Sequence, residues 1–258
     1  MKKRKESFWF CREHERDCGI ARVLGIGQRW FHVKHLPPLG AEIEVETTAM
    51  AHGPEAVARL SDGAVVFVSG GAPGDRLRVR VTEVRGSFVR AEIVEVLEPS
   101  LDRQMPRCAH ARSGECGGCP WQHVAIARQR SEKEALIRRE AARACPEATV
   151  RPLAAPVREF GYRRRARFGY GAGRLGYRAR GTHKLFDVTE CPVLDPRLEA
   201  ALPAFRRELA HEISGNVDAM VDVGGAAVLG RSASPFAQPS LDAERALVAC
   251  ALQALPRA

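Results

Sequence analysis

Arg76-Leu77-Arg78-Val79-Arg80-Val81 decides the first half of the fold. Apolar and basic residues alternate without interruption, the period of a strand with one buried and one solvated, basic face. Turn signals bracket it on both sides: Ser61-Asp62-Gly63 and Gly70 through Gly74 before it, Arg85-Gly86-Ser87 after it. Working outward, the stretch from Glu42 to about Glu98 repeats this pattern and predicts five short strands. So many strands in so short a span suggest a small closed barrel of OB type, an architecture that commonly binds oligonucleotides but proves no function by itself.

Downstream lies the strongest chemical signal, Cys108-Ala-His-Ala-Arg-Ser-Gly-Glu-Cys116-Gly-Gly-Cys119. Two thiolates two residues apart can reach one metal centre, and Gly117-Gly118 lets the backbone turn tightly around it. Cys108 supplies a third sulfur. Cys191 is the best fourth, because Cys191-Pro192 falls between a strand and a turn. A set of four cysteines serves zinc as well as iron–sulfur clusters, and spacing does not choose between them. The plainer alternative is a group of reduced, buried thiols. Cys145 and Cys250 fall at or within predicted helices and are expected to pack as small apolar side chains. Cys11, His14 and Cys18 lack a fourth ligand nearby and are not taken as a site.

The remaining pattern mixes helices and strands. A helix is predicted from about His123 to Ala144, with Glu134 and Arg138 spaced for an ion pair. Tyr162 to Tyr170 and Leu175 to Arg180 predict a hairpin around Gly171-Ala172-Gly173. A helix follows Asp195-Pro196 and runs to Glu212. A last one spans Leu241 to Leu255, with Ser240 as N-cap and Leu241, Val248, Leu252 and Leu255 on one face.

The chain of 258 residues carries a net charge of +9. Between Arg158 and Lys184 nine basic residues stand against Glu159 alone, so this one segment holds +8 of that excess. A concentrated patch of this kind attracts polyanions and releases their counterions, which makes nucleic acid the natural partner. Tyr162, Phe168, Tyr170 and Tyr177 are interleaved with the arginines and can stack on unpaired bases. No apolar run is long enough to span a bilayer, and residues 7–16 supply no apolar signal-peptide core. The expected location is the cytoplasm, where thiols stay reduced and metal binding is considered before disulfides.

These residues resemble a known family. Cys108 with Cys116-Gly117-Gly118-Cys119-Pro120-Trp121-Gln122-His123 is similar to the iron–sulfur segment of the RNA uracil-5-methyltransferases that modify 23S ribosomal RNA. Gly161-Tyr162-Arg163-Arg164-Arg165-Ala166-Arg167-Phe168 resembles that family's basic strand, Leu175-Gly176-Tyr177-Arg178 its next strand, and Cys191-Pro192-Val193-Leu194 the segment of its fourth cysteine. His52-Gly53, Val65-Val66-Phe67-Val68 and Pro73-Gly74-Asp75 resemble its TRAM domain. The spacing from Cys108 to Cys116 is longer than the family's usual one.

The resemblance implies an α+β chain: an N-terminal five-stranded, OB-like TRAM β-barrel, then a mixed α/β central domain with a four-cysteine cluster. The expected boundaries are an irregular extension over 1–40, the barrel over 41–100, an iron–sulfur and RNA-binding domain over 101–235, and a linker helix over 236–258. It implies a [4Fe–4S] cluster on Cys108, Cys116, Cys119 and Cys191, with zinc as the alternative. RNA, ribosomal RNA above all, is the implied partner of Tyr162, Arg163, Arg164, Arg165, Arg167 and Arg178. Family members transfer methyl from S-adenosylmethionine to uracil C5, using a cysteine nucleophile and a carboxylate base in a further domain. That domain is expected beyond this chain, whether lost by truncation or separately encoded. No catalytic residue is therefore assigned, and the chain alone is expected to be inactive. Phe236-Ala237-Gln238 resembles a motif whose glutamine touches the cofactor, and Gln238 is kept as its remnant. Val221-Asp222-Val223-Gly224-Gly225 imitates a cofactor loop, but too little chain follows for a doubly wound sheet. The other function class is a stand-alone, non-enzymatic RNA-binding metal-cluster module.

Overall fold

The computed structural model describes residues 35–153, 158–230 and 238–255. Cys11, His14, Cys18, Phe236 and Ala237 lie outside the described residues.

Five strands, β1 (Glu42–Met50), β2 (Glu55–Arg59), β3 (Val65–Ser69), β4 (Arg76–Arg85) and β5 (Phe88–Glu98), close into a barrel in the order β1-β2-β3-β5-β4. β3 and β5 pair in parallel, the other neighbours antiparallel. Alternation places Leu77, Val79 and Val81 inside with Val45, Val66, Val68 and Val89. Arg76, Arg78 and Arg80 face outward as their period requires, but that face is not a bare basic one. Arg78 pairs with Glu95 at 2.5 Å, Arg80 with Glu42 at 2.6 Å, and Arg76 with Glu98 at 2.7 Å. The register sets these partners opposite one another across β1, β4 and β5.

After a short helix, α1 (Ala109–Arg112), the long helix α2 (Ile126–Ala144) leads to a second sheet. Its strands are β6 (Arg165–Gly171), β7 (Arg174–Arg178), β8 (Leu185–Asp187), β9 (Ser214–Val221) and β10 (Ala227–Gly230), ordered β10-β9-β6-β7-β8 and antiparallel throughout. Helix α3 (Pro196–Glu208) covers it, joining Leu198, Leu202 and Phe205 to Phe168, Leu175 and Phe186. Asp195 caps α3 by accepting from Arg197 N, and Pro196 occupies the first turn. The β6–β7 hairpin turns on Ala172 (φ +50°) and Gly173 (φ +71°), the pair of positive φ values that suits strand twist. Gly176 is fixed by contact: any Cβ there would collide with the Phe186 carbonyl on β8. Helix α4 (Leu241–Ala254) starts on Ser240, whose Oγ accepts from Ala243 N.

Several boundaries differ from expectation for identifiable reasons. β6 starts at Arg165 rather than Tyr162, because Arg163 bridges instead to Leu194 and Ser240. α2 begins at Ile126 rather than His123, because His123 and Val124 are committed to the barrel. α3 stops at Glu208, past which Ala210 N and Glu212 N bond three residues back, to the Arg207 and Leu209 carbonyls, instead of four. Cys145 and Cys250 are both exposed, so the packing expected of them is not found. Leu241, Val248, Leu252 and Leu255 are exposed as well. Among the described residues no helix is long and apolar enough to cross a membrane.

Candidate metal centre and nucleic-acid interface

The segment that follows Cys119 anchors the cysteine loop to the barrel. Trp121 Nε1 donates to the Gly53 carbonyl (2.7 Å), and His123 Nε2 lies 2.9 Å from that of Gly71. Gln122 turns the other way and accepts from Cys108 N at 2.8 Å. Val124 closes a small apolar cluster with Met50, Ala56 and Ala72. Buried Glu132 on α2 accepts from Met50 N. Beside them Asp75, with no exposed surface, accepts from Ala72 N (2.6 Å), Ser100 N (2.9 Å) and the Arg103 guanidinium (2.6 Å). Burial alone would raise the Asp75 carboxyl. These donors outweigh it and hold the group below the ordinary carboxylate range. Burial pushes the His123 imidazole down, so it sits neutral.

The other side of the loop is tied to the second sheet. Arg180 N donates to the Glu115 carbonyl, and Cys116 bridges Ala179 just past β7. Cys108 is buried and ends the loop at the start of α1; Cys116, Cys119 and Cys191 are half-buried. Cys191 arrives from the turn between β8 and α3, its N–H held by Glu199 at 2.8 Å. That turn is hydrogen-bonded to the chain entering β6: Gly161 N to Pro192 O, Arg163 N to Val193 O, and Asp195 N to Arg163 O.

Of the four expected ligands, Cys116 and Cys191 pack against the core of the second sheet. Each thiol lies within electrostatic range of at least two of the others. Burial pushes the thiols of Cys116 and Cys119 up and that of Cys191 to about 11, so the site as it stands favours neutral sulfur. A bound cationic centre reverses that preference, because a coordinating thiol gives up its proton. Gly118 N already points at Cys116 Sγ, 3.4 Å away. Among the described residues, no three potential ligands are gathered tightly enough for a single metal ion.

Arg163 lies beside Cys116 and Cys119. Burial lowers its basicity, but Tyr162, Tyr177 and Cys119 around it outweigh burial and raise it. Its Nε is buried without a hydrogen-bond partner, and the Tyr177 hydroxyl is buried beside Cys191. Tyr177 packs at a tilt against Phe168, ring centroids 5.0 Å apart, and burial raises its phenol strongly. Phe168 is fully buried and Tyr170 and Tyr177 pack partly buried on the sheet core, and of the four interleaved aromatics Tyr162 is the one that lines the cleft beside Cys119.

The predicted arginines divide. Arg164 pairs with Glu244 on α4 and donates to the Gln238 carbonyl; Arg165 pairs with Asp218 on β9 at 3.1 Å. Arg167 and Arg178 are exposed, Arg178 donating to the His183 carbonyl at 2.7 Å. Gln238 lines a cleft of about 910 Å³ whose other walls are Gly118-Cys119, Trp121, Phe160, Tyr162 and the basic residues Arg130, Lys133 and Arg158. The sequence does not mark Trp121, Phe160, Arg130 or Lys133 as site residues. Their common signal is an aromatic or basic residue close to a cysteine or to the arginine run. Val221 to Gly225 forms the β9–β10 hairpin turn, with Gly225 at φ +85° donating to Asp222, and no nucleotide loop.

Residues 39–94 match the TRAM domain. An uncharacterised RNA methyltransferase of Thermosynechococcus vestitus is 41% identical over 66% of this chain and 38% of its own length. The 23S rRNA (uracil(1939)-C(5))-methyltransferase RlmD of Halomonas elongata is 40% identical over 64% of this chain and 35% of its own. This chain thus spans little more than a third of these relatives. The tRNA (uracil-54, C5)-methyltransferase of Pyrococcus abyssi, solved with S-adenosyl-L-homocysteine, is 20% identical over 72% of this chain and 44% of its own, with a TM-score of 0.48.

Proposed function

Starting from a TRAM-domain chain homologous, over about two thirds of its length, to 23S rRNA uracil-C5 methyltransferases, we propose that it binds RNA through a surface organised by an iron–sulfur cluster. What supports this reading is the electrostatic coupling among the thiols of Cys108, Cys116, Cys119 and Cys191, with Arg163 beside Cys116 and Cys119 and its buried Nε without a partner. A tetrahedral zinc needs four sulfurs each about 2.3 Å from one point. A [4Fe–4S] centre, which the resemblance to the methyltransferases implies, instead spreads its four thiolates over four irons. Four thiolates on such a centre leave excess negative charge, which a buried guanidinium offsets. The cluster's contribution is structural: it cross-links the loop before α2 to the turn before α3.

The activity served is S-adenosylmethionine-dependent methylation of uracil C5 in RNA, with ribosomal RNA as substrate. Among the described residues no strand–glycine–helix loop binds the cofactor, so methyl transfer is assigned to a methyltransferase domain outside them, in the same or a separate polypeptide. Gln238, the remnant of a cofactor motif, lines the cleft.

Anaerobic purification tests the cluster. Brown protein, with broad absorbance near roughly 400 nm and matching iron and acid-labile sulfide, is expected. Cys191→Ser is expected to lose both the colour and most of the RNA affinity. Colourless protein holding one zinc would reject the cluster.

A further inference from the structure

We propose that the cleft beside Cys119 receives one unpaired RNA base against Phe160 and Tyr162, with the flanking phosphates on Lys133, Arg130 and Arg158. The proposal rests on the RNA-binding reading above and deepens it by naming the form of RNA and the residues that hold it.

The cleft, at about 910 Å³, falls in the size range of small-molecule sites, ample for a nucleotide. Its lining joins three aromatic rings to three cations, with Glu159 as the one acidic residue. That combination suits a π-face with phosphates at its edge, and suits an apolar or acidic-poor peptide less well. The rings are already arranged among cations. Arg107 lies 5.0 Å from the Phe160 ring centroid, and Lys133 Nζ 5.7 Å from that of Trp121. Arg158 is held by an exposed 3.4 Å contact with Asp242, which a phosphate can replace at little cost. A-form duplex cannot present a base face to such a recess, so the site selects unpaired nucleotides. Gly118 and Cys119 form part of the wall, so loss of the metal centre should deform the site directly.

The test uses the metal-loaded chain with two RNA probes: a single-stranded oligonucleotide carrying 2-aminopurine, and the same sequence as a duplex. Wild-type protein is expected to quench the single-stranded probe and to bind it in preference to the duplex. Phe160→Ala should abolish the quench and weaken single-strand binding on the order of ten-fold, leaving duplex binding unchanged, while Phe160→Tyr retains both properties. Should Phe160→Ala fail to fold, Lys133→Ala, on the exposed face of α2, is expected to lower the salt slope of single-strand binding by about one. Quench and affinity that survive in the folded variant overturn the proposal while leaving RNA binding intact. Failure of wild-type protein to bind either probe overturns the RNA-binding reading along with it.

Discussion

Arg163 carries a permanent charge into a half-buried position, and its Nε is left without a partner. A cation placed there is costly unless anions gather around it, and the thiolates of the proposed cluster would be such anions. In the sequence it is one arginine among several, and nothing in Tyr162-Arg163-Arg164-Arg165 distinguishes it. The distinction is made by backbone bonds to Val193 and Asp195, on a turn distant in the chain. His123 permits a test at this scale. Its folded-state pKa is depressed by burial below the unfolded value of about 6.5. Between those two values the unfolded chain binds the extra proton, so stability is complete above about pH 6.5 and is lost as pH falls through that point toward the folded pKa. The thermal stability of wild-type protein between pH 7 and 5 is therefore expected to fall more steeply than that of His123→Gln. Parallel curves would assign the loss to other groups.

At the level of elements, the junction of barrel and cysteine loop is held by Asp75, Arg103, Trp121 and His123. Removing the buried Asp75 carboxylate leaves two N–H donors unpaired and the largely buried Arg103 guanidinium with only the Gly70 carbonyl. Asp75→Ala is expected to cost about 3 kcal/mol, read as a lower urea midpoint at unchanged slope. A loss under about 1 kcal/mol would mean that water takes over the carboxylate's role. The strands of the barrel were legible because alternation at Leu77, Val79 and Val81 reports burial directly. The β6–β7 hairpin was legible from its glycines, and α3 and α4 from their caps. Asp75 was not, since an aspartate after Pro73-Gly74 looks like ordinary turn chemistry until its donors arrive from Ser100 and Arg103. Likewise the four cysteines could be chosen from spacing and resemblance, whereas the cleft could not. It is assembled from α2, the cysteine loop and residues 158–162, whose proximity no local pattern encodes.

Across the whole molecule the excess of positive charge is unevenly available. Arg164 and Arg165 are held by Glu244 and Asp218, whereas Arg167 and Arg178 stand exposed. Replacing Arg167 and Arg178 together by alanine is expected to weaken RNA binding and reduce its dependence on log salt by roughly one to two. Arg164→Ala should leave that slope alone. An unaltered slope in the double variant would remove the outer face of this sheet from the interface.

The arginine–glutamate rows on the barrel have a kinetic implication. A wall whose cations are each matched by a neighbouring carboxylate exerts little long-range pull, so an approaching polyanion experiences less torque from it than from the exposed arginines of β6 and β7. Reversing the glutamates would make the barrel a competing landing site, and many first collisions would then occur in orientations unable to lead to a seated complex.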